Sequence, residues 1–113
     1  MSSKIRVVQY GMGPIGKGIA QLVLGKENLA LVGAIDIDPH LQGKDLGEVL
    51  ERGVDLGLQL SGEAQATLAR AKPEVVLHAT VSSLERAVPQ IRLAIESGAD
   101  VISTCEELAY PFY

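Results

Sequence analysis

The sequence predicts an α/β domain built on a doubly wound parallel sheet. Three features of the 113 residues lead to it. Short β-branched or aliphatic runs alternate with segments of helical period. One run, residues 29–36 (LALVGAID), is almost continuously apolar, as a strand covered on both faces must be. A glycine-rich turn follows directly on the first run. Such alternation gives parallel strands with helices on both faces. Right-handed crossovers prune the topologies, and a sheet of about five strands in the order 3-2-1-4-5 is the simplest that remains.

Each element has its own signal. Ile5, Val7 and Val8 within KIRVVQY read as a first strand, ended at once by glycine. Ile15, Ile19, Leu22 and Val23 then fall on one face of a helix, with Pro14 in its first turn and Gly25 or Asn28 as its stop. The apolar run 29–36 is the second strand, and Pro39 and Gly43 mark a loop after it. Leu46, Val49 and Leu50 give a short helix over 45–52. Val54, Leu56, Leu58 and Leu60 alternate with Asp55, Gly57 and Gln59, which predicts a half-exposed third strand near an edge. Residues 63–71 are good helix formers, stopped by Lys72-Pro73. Residues 75–80 (VVLHAT) are the fourth strand. Ser82 and Glu85 form a capping box opening a helix whose Leu84, Val88, Ile91 and Ile95 face the core. Pro89 predicts a kink or a restart within it, and Gly98 suits its C-terminal cap. VIST, residues 101–104, is the last strand.

Composition narrows the function. A chain of this length is one domain, residues 1–113, and its 47% hydrophobic content excludes a disordered tail. Twelve glycines against four aromatics imply an aliphatic core with many tight turns. A lone cysteine forms neither an internal disulfide nor a cysteine-based zinc cluster, and no metal site is expected. The start, MSSKIRVVQY, has no apolar signal core, and no run is long enough to span a membrane. A reducing, cytoplasmic setting is the expectation. A net charge of −4 disfavours nucleic acid. That charge is uneven: residues 1–26 hold Lys4, Arg6, Lys17 and Lys26 and no acid, and the rest of the chain carries the surplus of acids.

The basic opening coincides with the sharpest motif, Gly11-Met12-Gly13-Pro14-Ile15-Gly16. A G-x-G-x-x-G alone is weak evidence, but here it follows a strand and opens a helix. Gly11 permits the tight turn, Gly13 lets a pyrophosphate approach the backbone, and Gly16 lets helix and sheet pack closely. The helix start offers amides and a positive dipole end to the phosphates. Asp36 lies twenty positions after Gly16, where an acid binds the ribose hydroxyls and repels a 2′-phosphate. The predicted cofactor is therefore NAD or NADP, with NAD favoured. Asp38 competes for the role, and His40 and Lys44 nearby soften the discrimination. In a parallel sheet the strand C-termini share one edge, which gathers the glycine loop, Asp36, the segment Thr80–Ser83 and Cys105-Glu106-Glu107. The first two serve the adenosine diphosphate half. The segment Thr80–Ser83 is expected near the pyrophosphate or the nicotinamide ribose, and Cys105-Glu106-Glu107 near the nicotinamide ring.

Single residues divide. His78 in its apolar strand reads as a packed, hydrogen-bonded histidine before a functional one. Cys105 reads as a small hydrophobe before a nucleophile. Glu106 or Glu107, at the end of the last strand, is placed to exchange a proton at a carbon that gives or takes hydride. Tyr110, Phe112 and Tyr113 crowd the tail, which predicts a domain boundary or a homo-oligomer contact there.

VVQYGMGPIGKGIAQLVL, LVGAIDIDPHLQGKDLGEVL, VVLHATVSSLERAVPQI and VISTCEELAYP together resemble the 2,4-diaminopentanoate dehydrogenases. They also resemble the wider set of enzymes with a dihydrodipicolinate-reductase-like N-terminal domain of Rossmann type, amine dehydrogenases among them. IDIDP, GKDLGEVL and STCEELAYP are more specific than the glycine loop. The resemblance implies NAD(P)-dependent oxidative deamination, or its reverse, on a small amine or amino acid. Glu106, ahead of Glu107, would be the acid–base group. It also implies a second, substrate-binding domain, absent from this chain, so that the chain alone binds the cofactor and catalyses little. Dihydrodipicolinate reduction and non-enzymatic dinucleotide sensing are the alternatives.

Overall fold

The computed structural model describes residues 4–79 and 84–103, with the backbone alone at 84–87. Its elements run β1 (Ile5–Tyr10), α1 (Pro14–Leu24), β2 (Leu29–Ile35), α2 (Leu46–Val49), α3 (Ala64–Ala71), β3 (Val75–His78), α4 (Leu84–Glu96) and β4 (Asp100–Ser103). The strands form a parallel sheet in the order β2-β1-β3-β4. Chain alternation puts Val7 and Val8 on opposite faces, and each enters a separate core. Val7 joins Ala20, Val23, Leu31, Leu46 and Leu60 on the α1 side. Val8 joins Ile35, Leu68, Val76 and Ala94 on the α3–α4 side. Each such aliphatic side chain contributes about 1.5–3 kcal/mol on burial, so both faces of β1 hold the domain together.

The third strand is the main departure. Residues 54–60 are not a strand but make isolated bridges, Asp45 with Gln59 and, just beyond, Ile35 with Ser61. The cause is Asp45, whose carboxylate accepts the amides of Gly47 (2.8 Å), Leu56 (2.7 Å), Gly57 (2.9 Å) and Leu58 (3.1 Å). Donors taken by a side chain cannot build a ladder, and Gly57 sits at φ +76°. The alternation still does its packing, since Leu60 is buried and Leu56 and Leu58 lie against the core. The parallel bridge at Ser61 lies beside β2, where the expected order puts its third strand. The other four keep the expected sequence across the sheet.

Two helix faces are also rotated from expectation. In α1 the inward face is Gly16, Ala20 and Val23, while Ile15 is 65% exposed and Leu22 is exposed too. In α4 it is Ala94, with Leu93 packed beside it, while Val88 and Ile95 are exposed. Small residues win these faces because they let the helix axis approach the sheet. Gly33 does the same for α3, since a Cβ there would sit 3.2 Å from Thr67 Cγ2 and 3.3 Å from Val8 Cγ2. α4 runs through Pro89 without a restart. The helix expected over 45–52 is a single turn, capped by Asp45 and ended where Glu51 turns to φ 55°. Gly98 takes the positive φ, 95°, expected of it.

Candidate dinucleotide site

β1 hands directly into the glycine loop. The Gly11 amide still donates across to Ile35 O (2.7 Å), and then φ of +110° turns the chain out of the sheet. Only glycine adopts that angle without strain. The Gly11 carbonyl then lies against Gly16, where any Cβ would overlap it. From beneath, the buried Gln9 donates through Nε2 to the same carbonyl (3.1 Å). Its Oε1 has no hydrogen-bond partner among the described residues.

Gly13 differs from both. It is the N-cap of α1 at φ −70°, an ordinary angle, and a Cβ there would meet nothing within 4 Å. The fold itself gives no reason for glycine at this position, whereas a phosphate approaching from outside does. Pro14 follows at the first helical position and has no amide to satisfy. Lys17 N–H closes the first turn onto Gly13 O (2.8 Å). The amides of Ile15 and Gly16 have no backbone acceptor among the described residues. Among the described residues the turn therefore presents donors without backbone acceptors and a positive dipole end beside a surface without side chains.

Asp36, expected at the ribose, has two backbone partners of its own. Its half-buried carboxylate accepts Met12 N–H at Oδ2 (2.7 Å) and Asp38 N–H at Oδ1 (2.8 Å). It thus ties the end of β2 to the glycine loop. Each oxygen keeps a lone pair for a further donor. Asp38 in turn accepts His40 N–H (2.9 Å), which keeps a second carboxylate two residues on. Lys44 is paired with Glu48 (3.8 Å). Met12 is 1% exposed with its side chain in the α1-side core, so only its backbone belongs to the loop surface. Gly13, Pro14 and Ile15 are exposed, and Gly11 and Gly16 are buried as supports.

At the β3 end, His78 is buried and hydrogen-bonded, as its apolar surroundings predict. Burial holds its pKa below the ordinary histidine value, and a hydrogen bond with Gln90 opposes the shift. Thr80, Cys105, Glu106 and Glu107 lie outside the described residues, as do the Ser82 cap and the aromatic tail. Among the described residues no group of three His, Cys, Asp or Glu could hold a metal ion, and no helix is long and apolar enough to cross a membrane.

A cavity of about 790 Å³ opens between α3 and α4, lined by Arg6, Leu68, Lys72, Glu74, Leu93 and Asp100. Arg6, Glu74 and Asp100 mark the N-terminal ends of β1, β3 and β4, the edge opposite the glycine loop. Volume and chemistry thus point to different ends. The loop is the better guide, because ligands of parallel sheets bind at the C-terminal edge.

Residues 5–105 match the family described as dihydrodipicolinate reductase, N-terminus. A 2,4-diaminopentanoate dehydrogenase of Acetoanaerobium sticklandii is 31% identical over 96% of the chain, and an amine dehydrogenase of Streptomyces virginiae is 32% identical over 96%. The chain spans 31% and 30% of those two relatives' lengths. The solved amine dehydrogenase of Mycobacterium smegmatis superimposes with a TM-score of 0.90 at 36% identity, over 97% of this chain and 32% of that one.

Proposed function

This chain belongs to the dihydrodipicolinate reductase N-terminal family, an NAD(P)-binding Rossmann-type domain, and we propose that it binds NAD(H) in preference to NADP(H) as the cofactor half of an oxidoreductase acting on an amine-bearing carbon. The single observation that supports cofactor binding best is Gly13: a side-chain-free position, open to solvent, at the start of a helix whose Ile15 and Gly16 amides have no backbone acceptor among the described residues. The preference for NAD rests on Asp36 and Asp38. A 2′-phosphate would meet two carboxylates there, and Lys44 is already engaged by Glu48.

Bound, the cofactor supplies hydride transfer. This chain's residues orient it: the glycine loop carries the diphosphate, Asp36 accepts the adenosine ribose hydroxyls, and Thr80 and Cys105 line its far half. Glu106, or its neighbour Glu107, exchanges the proton at the amine. A second domain encloses the substrate, which is a small amine or amino acid, and the whole protein works in the cytoplasm as a homo-oligomer. The relatives' printed names support the amine reading. The family's own name favours a second reading, reduction of a cyclic dihydrodipicolinate-type substrate with the same cofactor site.

Calorimetric titration of the 113-residue chain with NADH and NADPH tests the site. NADH binds at least about tenfold more tightly, a difference of about 1.4 kcal/mol. Asp36→Ala weakens NADH and narrows that gap. Equal affinities before and after the substitution would remove Asp36 from the ribose, and no binding of either would remove the cofactor. In the whole protein, turnover of a diamine rather than a cyclic imine separates the two substrate readings.

A further inference from the structure

The four strands end on one row across the sheet: Ile35 pairs with Tyr10, Tyr10 with His78, and His78 with Ser103. This row underlies the edge at which the dinucleotide is proposed to bind, and its character changes along its length. Ile35 and Tyr10 are buried within the α3–α4-side core. His78 is 1% exposed and has a polar partner at each ring nitrogen. Its Nδ1 lies 2.9 Å from Ser103 Oγ on β4, and its Nε2 lies 2.7 Å from Gln90 Oε1 on α4. The Tyr10 ring on β1 meets it edge-on, with centroids 5.5 Å apart. A carbonyl oxygen only accepts, so Nε2 carries the proton toward Gln90, and Nδ1 accepts from the Ser103 hydroxyl. One neutral imidazole therefore ties β3, β4 and α4 together at the level where they reach the edge.

Beyond the Tyr10 ring contact, the β1–β2 half of the edge has supports of its own. It is fixed by the Asp36 carboxylate on the Met12 and Asp38 amides and by the contact of Gly11 with Gly16. In a doubly wound sheet one mononucleotide lies to each side of the central crevice. With Asp36 at the end of β2 the adenosine takes the β1–β2 side, and the nicotinamide mononucleotide takes the β3–β4 side. We infer that His78 is a positioning residue for the nicotinamide half of the cofactor alone, through the ends of β3 and β4. The inference rests on the dinucleotide reading above and makes a claim that reading does not: the two halves of one ligand are held by separable supports.

Titration of the full chain with NADH and, separately, with ADP separates them, because ADP carries only the adenosine and diphosphate. In His78→Leu, which keeps the bulk and loses both hydrogen bonds, NADH affinity falls about tenfold or more while ADP affinity stays within about twofold. Ser103→Ala removes one partner from a half-buried position and gives a smaller loss of the same kind; it decides the matter if the leucine variant does not fold. A parallel fall in NADH and ADP affinity, or an unchanged ratio, overturns the inference while leaving the dinucleotide reading intact. A wild-type chain that binds neither ligand overturns both.

Discussion

The two halves of the sheet's C-terminal edge are held by different kinds of contact. On the β1–β2 side the chain is shaped through its own backbone. Gly11 takes a positive φ, its carbonyl rests on Gly16, and the Asp36 carboxylate grips the amides of Met12 and Asp38. On the β3–β4 side, beyond the strand ladder, the described residues add a side-chain network centred on the buried ring of His78. Backbone geometry of the first kind tolerates almost no change of residue type, because the overlap is with atoms that cannot move aside. A network of the second kind weakens by degrees and responds to protonation. The difference also decides what each half fixes: a rigid glycine loop on one side, strand ends buttressed by side chains on the other.

The sharpest way to break this comparison is Gly16→Ala. A methyl group there overlaps the Gly11 carbonyl, and relief requires the loop or α1 to shift. We expect a loss of about 3 kcal/mol, seen as a fall of roughly 10–20 °C in the thermal midpoint. A midpoint within a few degrees of wild type means that the loop is as adjustable as the His78 side. Gly13→Ala, three residues earlier, is the control within the same loop. Its backbone angle suits alanine and its Cβ meets nothing, so stability stays level or rises by up to about 1 kcal/mol. Its effect falls on the ligand, with NADH affinity down about tenfold as the methyl group holds the diphosphate away. Unchanged affinity in a folded Gly13→Ala chain places the phosphates elsewhere.

The same contrast explains how much was legible from residue types. The parallel sheet, its strand order and the glycine loop were readable because backbone demands leave signatures: glycine where φ is positive, an acid after the second strand. The spacing put Asp36 on the same edge as the glycine loop, but its grip on Met12 N–H was not legible, because topology brings two segments to one edge without saying which atoms meet. Residues 54–60 show why an alternating pattern is not a strand. Leu56, Leu58 and Leu60 do face inward, but their ladder is lost to Asp45, and a carboxylate's appetite for amides carries no periodicity. The α1 and α4 faces were misjudged for one reason: large aliphatics were taken as the inward face, when Gly16, Ala20 and Ala94 gave closer approach. Gln9 and Gln90 were overlooked because a glutamine in a strand or helix announces nothing until its partners are known.

The smallest expected effect sharpens the comparison through pH. The buried His78 ring has its pKa held below the usual value near 6.5, so the folded chain resists the proton that the unfolded chain accepts. Its contribution is complete above about pH 6.5, and it is lost as pH falls from there through the folded-state value. Asp45 acts in another window. Four backbone amides pull its pKa below the ordinary carboxylate value. Its contribution therefore survives to about pH 4 and is lost only as pH falls further, through its own folded-state value. Thermal midpoints measured from pH 8 to pH 3 should therefore decline in two stages. His78→Leu abolishes the first and keeps the second; Asp45→Asn, which replaces an acceptor oxygen with a donor, removes the second and keeps the first. A single acid transition unaffected by His78→Leu shows that the buried imidazole carries no protonation-dependent stability, and that the two halves do not differ in their response to pH.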